Sequence, residues 1–161
     1  MKRLLLLLAA IILLLLPLLF IKLTVLTVSV NNDLERALFI QKKKSFSIRW
    51  IHSVEKEEWE EMFVVEDGQI VLDSTRFKTF GAGVPNDAGE DTFIKDGWVY
   101  MTEIYQPIGS QLVTRTGKTT EHRFITGDEV FKLEPAKSYR VTVEKINLLH
   151  AIGYFIATRM R

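Results

Sequence analysis

The chain has 161 residues, 21 basic and 20 acidic side chains, three histidines and no cysteine. That length leaves room for one ordinary domain, at about 100–200 residues per domain. The missing cysteine excludes disulfides, thiolate-bound zinc, iron–sulfur clusters and a thiol nucleophile, and a net charge of +1 argues against a nucleic-acid partner.

The even average conceals a divided chain. Leu4 to Ile21 carries no charge and is flanked by Lys2, Arg3 and Lys22. About 20 apolar residues cross a hydrocarbon core of about 30 Å, and Leu23, Val25 and Leu26 can extend the run. A cleaved signal has a shorter apolar stretch, about 7–15 residues, followed by a small-x-small site. Here the nearest candidate, Thr27 with Ser29, lies among β-branched residues. Residues 1–22 therefore read as an uncleaved anchor, with Pro17 kinking or ending its most regular part. Lys2 and Arg3 are expected to keep the N-terminus in the cytoplasm. The rest of the chain, with 18 basic and 20 acidic residues after Lys22, is then extracytoplasmic.

Residues 23–145 read as short strands and turns. Thr24 to Val30 is rich in β-branched residues, and Asn31-Asn32-Asp33 is a turn cluster. Ala37 to Gln41 predicts a short strand, with Lys42-Lys43-Lys44 as an exposed turn or edge. Phe46, Ile48, Trp50 and His52 then fall on one face and Ser47, Arg49 and Ser53 on the other, the period of a half-buried strand. Trp59 to Val65 predicts the next strand, Asp67-Gly68 a hairpin turn, and Ile70 to Phe80 a third strand. Gly81 to Gly89 breaks all periodicity. Strand patterns resume at Trp98–Ile104, Gln111–Thr116 and His122–Thr126, with Gly117-Lys118 expected as a hairpin turn between the last two. Val130–Leu133 and the alternating segment from Tyr139 to Glu144 complete the series. About eight or nine short strands with frequent turns predict an all-β fold, an antiparallel sandwich or partly open barrel.

Residues 146–161 change character. Ile146 to Ala157 is apolar nearly all round, yet twelve helical residues reach only about 18 Å, too short to span a bilayer. Three readings stay open: a final core strand, a helix packed on the sheet, or an interfacial helix touching lipid.

The chemistry-bearing residues concentrate between Trp50 and Pro85. If the segments 46–52 and 59–65 form a hairpin, His52 and Glu61 are expected near one another at one end of the core. A buried carboxylate is costly unless paired, and His52 is its natural partner. This pair is read as a register-fixing polar contact, a ligand-binding group, or the centre of a small hydrolase or metal-dependent enzyme. Ser53 points away from His52 by strand alternation, and no nucleophile elbow is present, so no catalytic residue is assigned. The carboxylates Glu55, Glu57, Glu58, Glu60 and Glu61 lack EF-hand spacing and read as solvated loop acidity. Asp87, Glu90 and Asp91 read the same way. No metal or cofactor is expected. Gly81, Gly83 and Pro85 shape a loop through left-handed backbone or close approach, or line a ligand site.

Ile51-His52-Ser53-Val54-Glu55, then Glu61, then Phe77 and Phe80-Gly81-Ala82-Gly83-Val84-Pro85 resemble the bacterial family known as domain of unknown function 1850. The resemblance covers roughly Asp33 to Val143. Its matching positions are His52, Ser53, Val54, Glu61, Gly81, Ala82, Gly83 and Pro85. The charged turn Lys56-Glu57-Glu58-Trp59 departs from the Pro-containing turn expected there. Members resemble small exported or anchored proteins, often encoded beside TAXI-type tripartite (TRAP) transporters. The resemblance thus implies a bacterial cytoplasmic-membrane location and an accessory or binding role toward transporter subunits or their substrate-binding protein. A structural envelope protein without a small ligand is the remaining alternative.

Overall fold

The computed structural model describes residues 2–39, 45–81, 83–85, 87–127 and 129–159. An N-terminal helix α1 (Lys2–Phe20) leads into twelve strands and a final helix α2 (Leu148–Arg159). The strands are β1 (Lys22–Val30), β2 (Asp33–Phe39), β3 (Ser45–Ile51), β4 (Glu58–Glu66), β5 (Gln69–Phe77) and β6 (Asp91–Lys95), followed by β7 (Trp98–Thr102), β8 (Gln106–Gly109), β9 (Gln111–Arg115), β10 (Arg123–Thr126), β11 (Glu129–Lys132) and β12 (Ser138–Asn147). They form two antiparallel sheets. One has the order β2-β1-β12-β9; the other has the order β11-β10-β3-β4-β5-β7-β6, with β8 also paired to β5. No closed barrel forms.

The alternation read from the sequence explains how the sheets meet. Leu26, Val28 and Val30 of β1 and Tyr139, Val141 and Val143 of β12 face Phe46, Ile48, Phe63, Val65, Ile70 and Phe124 of the larger sheet. Phe46 stacks between Phe63 and Phe124, with ring centroids 5.0 Å away on each side. Each large apolar side chain fully buried in this way contributes about 1.5–3 kcal/mol. Two-residue turns close the hairpins where the chemistry allows left-handed backbone. Asp67 and Gly68 have φ of 50° and 79°, and Asp96 and Gly97 have φ of 50° and 72°, the geometry of a type I′ turn.

Three expectations are corrected. Among the described residues there are twelve strands rather than about eight or nine, and β6 and β8 match none of the expected segments. β6 is exposed along its whole length, so it has no alternation to read; only the Asp96-Gly97 turn announces it. Gly117-Lys118 is not a hairpin turn. β9 pairs with β12 in one sheet and β10 with β3 and β11 in the other, so this segment crosses between sheets. Thr116 secures that crossing: its N–H donates to the Lys137 carbonyl at 2.9 Å and its hydroxyl to the Glu134 carbonyl at 2.6 Å. The third strand ends at Phe77 rather than Phe80, which lies exposed beyond it. The expected turn at Lys42-Lys43-Lys44 lies outside the described residues.

The apolar C-terminal segment divides in two. Ile146 and Asn147 finish β12, and the Asn147 side-chain oxygen then accepts the His150 N–H at 2.8 Å, the N-cap contact that starts a helix. α2 packs Ala151, Leu148 and Tyr154 against Val25, Ala37 and Phe39, on the side of the smaller sheet away from the central core.

Candidate functional site

β3 and β4 form a hairpin whose register places Phe46 opposite Phe63, Ile48 opposite Glu61, Trp50 opposite Trp59 and Ile51 opposite Glu58. The connecting loop is closed by two backbone bonds: His52 N–H donates to the Glu57 carbonyl at 2.7 Å, and Lys56 N–H to the His52 carbonyl at 3.0 Å. Lys56 adopts φ of 60° to make that return. His52 is half-buried at the head of the loop. Its Nδ1 accepts the Glu55 N–H at 3.2 Å, which assigns the proton of the neutral ring to Nε2. Its ring lies 5.6 Å from that of Trp59.

His52 and Glu61 are therefore on one face but not adjacent. The stacked Trp50–Trp59 pair, with centroids 5.2 Å apart, occupies the register step between them. Glu61 instead lies between Ile48 and Thr75, and its carboxylate forms no ion pair or hydrogen bond with the described residues. Burial pushes its pKa above the ordinary carboxylate range. Ser53 is exposed in the loop, and its carbonyl accepts the Lys56 ammonium at 2.5 Å.

The glycine-rich loop does meet the His52 loop. Gly81 abuts the Glu55 side chain, leaving no room for a Cβ unless that carboxylate moves. Gly83 has φ of 80° with open space around it, so backbone conformation rather than crowding selects glycine there. Val84 packs with Trp59 and Ala88 on the buried cluster of Phe77, Val99 and Met101, and Pro85 is half-buried. Ala82 lies outside the described residues. Aromatic rings continue the packing from Phe80 to Phe77 at 5.1 Å and from Phe77 to Trp59 at 5.9 Å. The hollow left among His52, Glu55, Trp59, Phe77 and Val84 is about 10 Å³, a space for at most one water.

On the far side of Trp50 lies His122, with ring centroids 5.7 Å apart. Its Nδ1 and the Thr120 hydroxyl are 2.8 Å apart, and that hydroxyl also accepts the Gly117 N–H at 2.9 Å. Burial pushes the His122 pKa down, which keeps the ring neutral at physiological pH. His122 forms part of the wall of a hollow of about 340 Å³ between Gly117–Thr119 and Lys132–Pro135.

The strongest polar arrangement was absent from the sequence reading. Glu60, read there as solvated acidity, is only 4 % exposed. It faces outward from the core across a row in which Arg123, Arg49, Glu60, Arg76, Tyr100 and Phe93 are successive register partners. One carboxylate oxygen accepts Arg49 through Nε and Nη2 at 3.0 and 2.8 Å and Arg76 through Nε and Nη2 at 2.8 and 2.5 Å; the other accepts the Ser47 hydroxyl at 2.5 Å. Arg76 also donates to the Tyr100 hydroxyl at 2.9 Å and lies 4.4 Å from the Trp98 ring, with the Lys78 ammonium 4.3 Å from the same ring. Burial alone would raise the Glu60 pKa. The Ser47 and Arg76 hydrogen bonds and the two guanidinium charges more than reverse that, and the pKa falls below the ordinary range. A carboxylate held ionised and fully engaged is a poor proton acceptor, so this is a clamp across three strands rather than a general base. The alternation already set Arg49 opposite in face to Trp50; the missing information was the β3–β4 register, which sets Arg49 against Glu60.

Among the described residues no group of three or more His, Asp or Glu side chains comes together as a metal site. A family model described as Domain of unknown function (DUF1850) matches residues 46–133, from β3 to just beyond β11. Neither a curated protein nor a solved structure matches the chain.

Proposed function

We propose, from the premise that the chain belongs to the DUF1850 family, that it is a membrane-tethered extracytoplasmic accessory or binding module. Its partner would be a TAXI-type tripartite transporter or the substrate-binding protein that serves it. α1 crosses the bacterial cytoplasmic membrane once, with Lys2 and Arg3 inside and the β-domain outside. One observation carries the binding-module reading: the family motifs around His52 and Gly81–Pro85 pack against each other and leave a hollow of only about 10 Å³. A small-molecule pocket takes about 300–1,000 Å³. These motifs favour a rigid surface for a macromolecular partner. The hydrolase reading draws no comparable support, since two tryptophans separate its two proposed groups.

The tether reading draws support from α1, in whose apolar span none of the described side chains is buried. Ile21 alone separates it from β1, so the domain stands directly at the end of the span. The test is affinity capture of the tagged full-length chain from native membranes in mild detergent. Transporter membrane subunits or the substrate-binding protein are expected in the eluate. Their absence, while an unrelated membrane complex survives the same extraction, overturns the proposal.

A further inference from the structure

α2 has two apolar sides, and only one is used by the fold. Leu148, Ala151 and Tyr154 turn toward the smaller sheet, with Ala151 1 % exposed. Leu149, Ile152 and Ile156, at spacings of three and four, form the opposite face and are 51, 42 and 52 % exposed. A helix on the surface of a water-soluble domain carries polar residues on that side. These values approach those of α1, where Leu4 is 62 % and Ile11 50 % exposed.

The position of this face indicates what covers it. The Leu148 N–H, at the start of α2, donates to the Ile21 carbonyl at 3.0 Å. The start of α2 is thereby tied to the last residue before β1, where α1 ends. Nineteen helical residues reach about 28 Å, the thickness of the hydrocarbon core, so a spanning α1 brings Ile21 and Lys22 to the outer interface. α2 must then begin at that depth. Twelve residues cannot cross the bilayer from there, and the inner side of α2 is held on Val25, Ala37 and Phe39. The charges around it suit a headgroup layer. Lys22 pairs with Asn147 and Lys145 with Thr24 at this end of the sheet, both exposed. The acid nearby, Glu144, is engaged by the Thr27 hydroxyl at 3.1 Å and the Tyr154 hydroxyl at 3.4 Å.

We propose that the Leu149–Ile152–Ile156 face of α2 lies in the outer interfacial layer of the same bilayer that α1 crosses, as a second lipid contact. It rests on the reading of α1 as a membrane span. One helix fixes the height of the β-domain but leaves it free to rotate and tilt. A second apolar contact alongside fixes which surfaces it turns toward a neighbour in the membrane. Interfacial helices of this kind bury their apolar face about 5–10 Å into the headgroup and acyl boundary.

The lack of native cysteine makes the test direct. Single-cysteine variants of the full chain, Leu149→Cys, Ile152→Cys and Ile156→Cys, are spin-labelled and placed one chain per nanodisc of phosphatidylcholine and phosphatidylglycerol. Collision with oxygen, which concentrates in lipid, is compared with collision with a water-soluble nickel chelate. Leu7→Cys reports the span and Ile94→Cys, on exposed β6, reports water. The expected result is that the three α2 sites shift from the Ile94 pattern to the oxygen-dominated pattern of Leu7. Nickel access equal to Ile94 at α2, with Leu7 in lipid, overturns the inference and leaves the tether intact. Low collision with both reagents, the mark of burial against protein, also overturns it. Nickel access at Leu7 defeats the tether reading and this inference together. Unchanged near-ultraviolet circular dichroism certifies that each labelled chain is folded.

Discussion

Glu60 and Glu61 are neighbours on β4, and the pleat sends them to opposite faces of the same sheet. Glu60 meets two guanidinium groups and a serine hydroxyl on the outer face, and its pKa falls. Glu61 meets Ile48 and Thr75 on the inner face, and burial raises its pKa. One residue type, one strand and one step in sequence thus give a structural anion and a reluctant one. Burial penalises both charges; the difference lies in what stands across the strand. The outer face spends its polar groups on joining β3, β4 and β5, whereas the inner face tolerates a carboxylate at the margin of an aromatic core.

The comparison can be broken most sharply at Glu60. Replacing it by Ala leaves Arg49 and Arg76 facing one another with their shared acceptor gone. Removing one member of a buried pair costs about 3–5 kcal/mol, and the partial exposure of the two arginines, 27 and 22 %, places the loss at the lower end. Urea unfolding measures it, and a loss under about 1 kcal/mol would refute the clamp. A reference on the inner face is Phe63→Ala, expected to cost about 3–5 kcal/mol through its cavity, with no dependence on pH.

Gly89 offers the next largest effect. Its φ is 80° and a Cβ there would overlap the Thr102 carbonyl oxygen. Gly89→Ala is expected to cost more than the about 1–2 kcal/mol of left-handed backbone alone. Gly81→Ala meets only the movable Glu55 side chain and should cost less. Equal thermal shifts for the two variants would contradict this ranking. Of the two glycines, Gly89 is thus the more constrained.

The two glutamates then predict opposite pH behaviour. A carboxyl with a lowered pKa contributes stability above its unfolded value, about 4.3, and loses it as pH falls through the folded value. The Glu60→Gln deficit should accordingly be full at neutral pH and shrink in acid. A raised carboxyl does the reverse: its contribution is present below the unfolded value and disappears as pH rises through the folded one. Glu61→Gln should therefore stabilise the protein at pH 7, by about 0.5–1 kcal/mol, and make no difference near pH 3. Chemical denaturation at both pH values checks this, and a destabilised Glu61→Gln at neutral pH would show that its carboxylate has a partner in the folded state.

The smallest effect belongs to His122. Its lowered pKa contributes stability above the unfolded value of about 6.5 and loses it as pH falls toward the folded value. His122→Asn should flatten the stability profile below about pH 6.5, and an unchanged slope there would assign the acid response to another group.

Much of this was legible in the residues. Period-2 alternation around Phe46–Trp50 and Trp59–Val65 gave both strands and their shared core face. Asp67-Gly68 marked its turn because few residue pairs accept that backbone. The apolar N-terminal helix was legible because the run from Leu4 to Ile21 is uncharged and long. β6 escaped because a fully exposed strand carries no hydrophobic period. The crossing at Gly117 escaped because a hairpin turn and a change of sheet have the same local chemistry. The motif residues were legible too, but not their roles. Their contacts depend on Trp50 and Trp59 filling one register step and on Glu55 resting against Gly81.

The sequence by itself determined the apolar N-terminal helix, the all-β body and the inward face of its strands, since each follows from hydropathy and spacing within a few residues. Only the tertiary structure decided which strands share a sheet, that Glu60 is clamped while Glu61 is not, and that α2 begins where α1 ends. Those outcomes depend on groups 11 to 16 residues away for the Glu60 clamp, and on residues at opposite ends of the β-domain for the Leu148–Ile21 bond. Contacts of that separation are set by register and packing, which no local pattern encodes.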